Sequence, residues 1–283
     1  MGDLANDTAV TETGEGRYTA TLSRAWEIWG PMGGYIASVA LRAAGAASPF
    51  ARPASFFCQY LGVASFDEPV DIEVTTLRSA RTALAQRVSI TQGGKAMLEA
   101  TVWSVGEVDG FEHDATTPPD VLGPDELLTI REQLTEEELA EGPRFAFWLN
   151  LESKNIEPLR RGPSSTPGEP VWREWERFTP TATFEDPWVD ACRALILIDV
   201  QSWPAANRPH WGSEKLQQLY APSLDLYVAF HDPQPASEWL LCDGRGSIAR
   251  DGLMGWDGRL WSTDRRLVAS GGGQLLARRY PGA

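Results

Sequence analysis

One stretch constrains this chain more than any other. Trp29–Gly45 reads WGPMGGYIASVALRAAG, and the helix it predicts has apolar residues on every side, interrupted only by Ser38 and Arg42. A helix that lacks a polar face must be covered on nearly all sides. A membrane could cover one, but spanning needs about 20 consecutive apolar residues, and no run here approaches that. The cover therefore has to come from the chain itself or from a partner subunit. The GPMGG turn leads into this helix, and Gly45 is well placed to end it.

The next hundred residues change period. The segments 55–62 (SFFCQYLG), 70–79 (VDIEVTTLRS), 84–92 (LAQRVSITQ) and 95–104 (KAMLEATVWS) are rich in β-branched and aromatic residues and read as strands. Ile72 and Val74 alternate with Asp71, Glu73 and Thr75, as in a sheet with one wet face. Gln92-Gly93-Gly94-Lys95 is a two-residue hairpin signal. A strongly curved antiparallel sheet wrapped around the apolar helix would meet its need for cover.

Residues 105–170 differ in character. GPDELLTIREQLTEEELAEG (123–142) is acidic and helical, with Thr135 and Glu138 at capping-box spacing, and RRGPSSTPGEP (160–170) is turn-rich. The region reads as a connector with one or two surface helices and a solvated acidic face. The plan then repeats. FEDPWVDACRALILIDV (184–200) starts a helix at Asp186-Pro187 and runs apolar through Leu195–Ile198 to Asp199. Strands follow at 223–230, 237–250, 253–263 and 266–278, with Asp257-Gly258 as a turn signal. Ser55–Ile72 and Ser223–Leu240 align without gaps as strand, acidic Pro-containing turn, strand, a weak internal repeat. The expected organisation is an N-terminal domain over 1–112, a connector over 113–170 and a C-terminal domain over 171–283.

The formal charge of −14 opposes nucleic acid and anionic membranes, so neither is expected as a partner. A phosphorylated small ligand would need local arginines. Cys58, Cys192 and Cys242 are odd in number and far apart, which argues against a disulfide framework or a zinc site; buried, inert thiols are expected. The polar, acidic start lacks the basic and apolar regions of a secretory signal, so a cytoplasmic location is expected.

The two segments GPMGGYIASVALRAA…FFCQYLGVASFDEPVDIEV and SLDLYVAFHDPQPASEWLLCDGRGSIARDGLMGWDGRLWSTDRRLVAS resemble, in order, the acyl-CoA thioesterase II family of tandem double hot-dog proteins, and in particular its thioesterase-like branch. The resemblance implies an α+β double hot-dog with two antiparallel sheets, each wrapped around a buried helix, and the two units side by side with their strands continuous. It implies an acyl-CoA substrate, no cofactor and no metal. It also implies a water activated by an Asp, a Thr or Ser, and a Gln. The Asp falls on Asp199, which stands on independent grounds too. A carboxylate at a helix C-terminus and behind an apolar run has its pKa raised, as suits a general base. The hydroxyl falls on Ser223, where better-known members carry Thr.

The Gln register falls on Gly273, and Gln274 comes one residue later. Such a slip turns a strand side chain to the other face unless the three glycines form a bulge. Backbone amides at Gly33, Gly34 and Tyr35 are candidates for an oxyanion site. Trp29 and Trp26, just ahead of the Gly-rich turn, are pocket candidates, and Arg78, beside Arg81 and Arg87, is a candidate for the CoA phosphates. Two readings follow: a thioesterase, or a non-catalytic acyl-CoA or acyl-carrier binding protein on the same fold. A hydratase needs a nearby Asp/His pair, and His113, His210 and His231 do not offer its spacing. No Gly-x-Ser-x-Gly elbow of a classical hydrolase is present. Open sheet edges and exposed aromatics favour a homo-oligomer.

Overall fold

The computed structural model describes residues 1–157 and 166–280, so part of the turn-rich 160–170 segment lies outside the described residues. The first half carries β1 (Thr11–Gly14), β2 (Arg17–Ala20), β3 (Arg52–Tyr60), β4 (Val70–Ser79), β5 (Ala83–Gln92) and β6 (Lys95–Val105). Then come β7 (Leu151–Asn155), β8 (Val171–Phe178), β9 (Leu219–Tyr220) and β10 (Asp225–Phe230). The chain closes with β11 (Leu240–Arg250), β12 (Leu253–Ser262), β13 (Leu267–Leu276) and β14 (Arg278–Arg279). The helices are α1 (Leu4–Asp7), α2 (Gly33–Ala46), α3 (Ile130–Gln133), α4 (Glu136–Glu141), α5 (Pro187–Val200), α6 (Ser202–Asn207) and α7 (Glu214–Gln217). No helix of the described residues is long and apolar enough to cross a membrane.

The two sheets expected around the two helices are one, with the strands of the halves continuous as the resemblance implied. Twelve strands form a single antiparallel sheet in the order β1-β2-β4-β5-β6-β3-β10-β13-β12-β11-β8-β7, and β9 with β14 makes a separate small ribbon. The halves share one connectivity. α2 is followed by β3–β6 with β3 returning beside β6, and α5 is followed by β10–β13 with β10 returning beside β13. The first strands of the two halves, β3 and β10, pair with each other at the centre, Phe57 opposite Tyr227. Joining the edges there satisfies backbone groups that two separate sheets would leave open.

α2 is buried from Gly34 to Leu41 and again at Ala43 and Ala44, with β3–β6 on one side and α5 on the other. The two polar residues that interrupt it face α5. Ser38 Oγ donates to the Cys192 carbonyl at 3.4 Å, and Arg42 Nη1 pairs with Asp186 at 2.8 Å. Near one end of α2 Gly34 lies on Ile196, and near the other Gly45 lies on Trp188, so the helices run antiparallel. A Cβ on Gly34 would come within 2.6 Å of Ile196 Cα. That close approach brings the N-terminus of α2 to the C-terminus of α5.

Two local expectations resolve differently. Gly93 and Gly94 both have positive φ, 56° and 76°, as the β5–β6 hairpin requires. Asp257-Gly258, expected as a turn, lies inside β12; the turn into that strand is Asp251-Gly252, with φ of 54° and 84°. Gly258 serves close packing instead, because a Cβ there would lie 3.2 Å from Gln201 Oε1 at the start of α6. The acidic 123–142 segment forms only short pieces, a 3-10 turn and the helices α3 and α4, each helix closed by a capping box, Thr129–Glu132 and Thr135–Glu138. Strands β7 and β8 were not anticipated. On β8 the alternation of glutamate with tryptophan has the pattern of a wet-faced strand, but the faces are the reverse of that pattern. Trp175 packs outward with Trp239, Leu241 and Trp261, against Val121 and Leu127 of the connecting region, while Glu174 and Glu176 turn inward and are buried.

Candidate active site

The antiparallel pairing of α2 and α5 builds the centre of the site. Asp199 lies in the last turn of α5, 6% exposed. Its Oδ2 accepts from the Gly34 N–H of α2 at 2.8 Å, and its Oδ1 accepts from Ser223 Oγ at 2.9 Å. Ser223 is placed by a bridge to Leu275 on β13, just before β10 begins. Burial pushes the Asp199 carboxyl up to about 6, and the bonds from Ser223 and Gly34 partly oppose that rise. A carboxylate titrating near neutrality and fixed by two donors is suited to accept a proton.

Asp199 and Ser223 open onto a cavity of about 670 Å³. Gly33, Trp29 and Tyr60 line it beside them. A Cβ on Gly33 would stand 2.6 Å from Asp199 Oδ2 and 3.1 Å from the Tyr60 hydroxyl, so only glycine lets the carboxylate and the phenol close on the start of α2. The Tyr60 hydroxyl is buried, and among the described residues the Cys58 thiol, a weak hydrogen-bonding group, is the one polar group it meets. Burial, with Cys58 and Asp199 near, holds its pKa well above the usual phenol value, so it remains a proton donor.

The structure brings Asp199, Ser223, Gly33 and Trp29 to one cavity wall, and corrects five other expectations. Gly34 contributes its amide to Asp199, so that N–H is committed and is no oxyanion donor. Tyr35 belongs to the core: it is fully buried, stacks on Trp26 at 5.4 Å between ring centres, and its hydroxyl bonds to Ser23 and Asp7. Trp26 is buried with it and does not line the cavity. Arg78 is exposed on β4, away from the wall, because the outward face of that strand is solvated; among the described residues the cation that does line the cavity is Arg278. Gln274 is exposed on β13, whose pairing with β12 runs unbroken from Ala269 to Leu276, so no bulge turns it inward. At Gly273 a Cβ would meet the Asp225 carbonyl oxygen at 2.4 Å, so that position has no room for a side chain.

Tyr60 was missed. Its signal was the period of two along β3: Phe56 and Cys58 are buried, which puts Tyr60 on the same inner face.

Family models for an acyl-CoA thioesterase N-terminal domain and C-terminal domain match residues 22–105 and 124–275. The second alone spans more than half of the 283 residues. The chain belongs to the acyl-CoA thioesterase family. As a family member it is a thioester hydrolase that acts on acyl-CoA.

Solved structures of similar shape place the thioesterase in the hot-dog fold. It is similar to acyl-CoA thioesterase II TesB2 of Mycobacterium marinum, with a TM-score of 0.79 and 19% identity, covering 99% of this chain and 100% of the other. A tesB protein of Mycobacterium avium subs paratuberculosis gives 0.77 and 20%, covering 97% and 98%. A hot-dog protein of unknown function from Alicyclobacillus acidocaldarius gives 0.77 and 17%, covering 98% of each chain.

Proposed function

We propose that this thioesterase hydrolyses acyl-CoA by direct attack of a water that Asp199 activates. The observation that carries this reading is the buried Asp199 carboxyl, raised to about 6 and fixed by Gly34 and Ser223 at the wall of the cavity. The water lies in the cavity that Asp199, Gly33 and Tyr60 line, where it donates to Asp199 Oδ2. Ser223 holds the carboxylate from its other side. Tyr60 supplies the third contact, in place of Gln274.

As the water oxygen bonds to the thioester carbon, its proton passes to Asp199 and the carbonyl becomes an oxyanion. The Gly33 amide, first in α2 and without an intrahelical acceptor, receives that charge at the positive end of the helix. Collapse breaks the C–S bond. The CoA thiolate leaves and takes the proton back from Asp199, so the enzyme is restored. Arg278 lies at the mouth for the CoA phosphates.

The binding-protein reading would require the water site to be broken at the Gln position, and the Tyr60 hydroxyl supplies the group that position lacks. The protein is proposed to be cytoplasmic, organised as two hot-dog domains over 1–112 and 171–283 joined by 113–170. It is proposed to self-associate through the exposed Phe57, Trp103 and Tyr227 on the outer face of the central strands, which sedimentation would show.

Free-CoA release from short, medium and long acyl-CoAs tests the chemistry. Wild type turns over at least one of them, and Asp199→Asn lowers kcat by about 10³-fold or more with the fold intact by circular dichroism. Turnover that survives Asp199→Asn would sink the assignment of the base.

A further inference from the structure

The inner face of β8 carries two carboxyls where the sheet otherwise carries core. Glu174 is 6% exposed and Glu176 is fully buried, as enclosed as Phe178 on the same face. Directly opposite on β7 stand Asn155 and Ser153. Ser153 Oγ donates to Glu176 Oε2 and Trp172 Nε1 donates to Glu174 Oε1, both at 2.7 Å. Among the described residues, Asn155 Oδ1 is buried without a partner, and Glu176 Oε1 has none apart from the neighbouring Glu174 carboxyl. Among the described residues, no lysine or arginine forms an ion pair with either glutamate. Burial raises both carboxyls, and each lies close enough to the other to share a proton.

Such a face is costly. Buried carboxyls lose their water, and apolar residues of similar size would pack there with less penalty. Ser153, Asn155, Trp172 and Glu174 are part of the same cavity wall as Asp199 and Ser223. The face does not suit the phosphate end of CoA, since it repels anions, and the one cation on the wall among the described residues, Arg278, lies on the exposed β14. A plain hydrocarbon chain would leave Asn155 Oδ1 unpaired.

We infer that the acyl end of the cavity recognises an acyl group carrying a hydrogen-bond donor remote from the thioester, a hydroxyl or an amine, through Glu174 and Asn155. This rests on the acyl-CoA reading above, but its test does not need turnover. Calorimetry would compare free CoA with non-hydrolysable thioether analogues of a medium-chain acyl-CoA: unsubstituted, and with a hydroxyl or an amino group moved stepwise along the chain. Wild type binds at least one donor-bearing analogue tenfold or more tighter than the unsubstituted chain. A hydroxyl optimum that is insensitive to pH names an alcohol, and an amine optimum names a cationic tail. Glu174→Leu removes the preference and tightens the unsubstituted chain, while Glu174→Gln, which keeps shape and an acceptor oxygen, retains the preference for a hydroxyl. The inference is overturned if no donor-bearing analogue exceeds the unsubstituted chain in wild type. It is also overturned if Glu174→Leu weakens free CoA as much as the analogues, which would put Glu174 against the pantetheine arm. Absence of CoA release would refute the catalytic reading and leave these affinities readable.

Discussion

Replacing Asp199 by asparagine should stabilise the fold while it removes the base. Asparagine keeps the shape: its oxygen can accept the Gly34 N–H and its amide can donate to Ser223 Oγ, the two groups that hold Asp199 now. What disappears is the need to bury a carboxylate. The Asp199 carboxyl is held at about 6 against an ordinary value of 3.8. Between those values the unfolded chain has released a proton that the folded chain retains. Stability contributed by the neutral carboxyl is therefore complete below about pH 4 and is lost as pH rises to about 6. At 1.36 kcal/mol per pKa unit the full loss is about 3 kcal/mol. Urea unfolding of wild type and Asp199→Asn, at acid and at mildly alkaline pH, reads this directly. The variant should be more stable by up to about 3 kcal/mol above pH 7, with the difference closing towards pH 4. A variant that is less stable at both pH values, or whose difference does not change with pH, would refute the claim that burial raises this carboxyl.

Tyr60→Phe should lower kcat about 10- to 100-fold, the scale of one lost transition-state donor, with little change of melting temperature, since the phenol gives up only a weak contact to the Cys58 thiol. Gly33→Ala presses a methyl against Asp199 Oδ2 and the Tyr60 hydroxyl, displacing both side chains, and should lower kcat/KM about 100-fold while the protein still folds; urea midpoints and CoA release separate the two effects. Gly34→Ala drives a Cβ into the backbone of Ile196 and Leu195 and should cost about 3 kcal/mol or more of stability by denaturant unfolding. Gln274→Ala should leave kcat/KM within about twofold, because that side chain faces solvent.

Much of the fold was legible because period and punctuation agree in the repeated halves. An apolar helix followed by four alternating strands, with Gly93-Gly94 between two of them, leaves few arrangements open. Where the sequence misled, something distant had changed the meaning of a local pattern. Glu174 and Glu176 alternate with Trp175 as on a wet-faced strand. The segment around Val121 and Leu127 covers the face that would be wet, so the carboxyls end up inside. Asp257-Gly258 has the composition of a turn, but the glycine is there because α6 crosses close above it. Within the site, Asp199 was readable from its place at a helix end and Ser223 from the resemblance. Tyr60 and Arg278 were not, since what singles them out is a shared cavity wall between residues far apart in sequence.

The dependence of kcat/KM on pH tests the central claim most directly, that an elevated Asp199 carboxylate activates water. CoA release should fall about tenfold per pH unit below about pH 6, level off above it, and lose this acid limb in Asp199→Asn, whose residual rate should not follow that titration. A wild-type profile that is flat between about pH 5 and 8, or an acid limb that persists in Asp199→Asn, would contradict it.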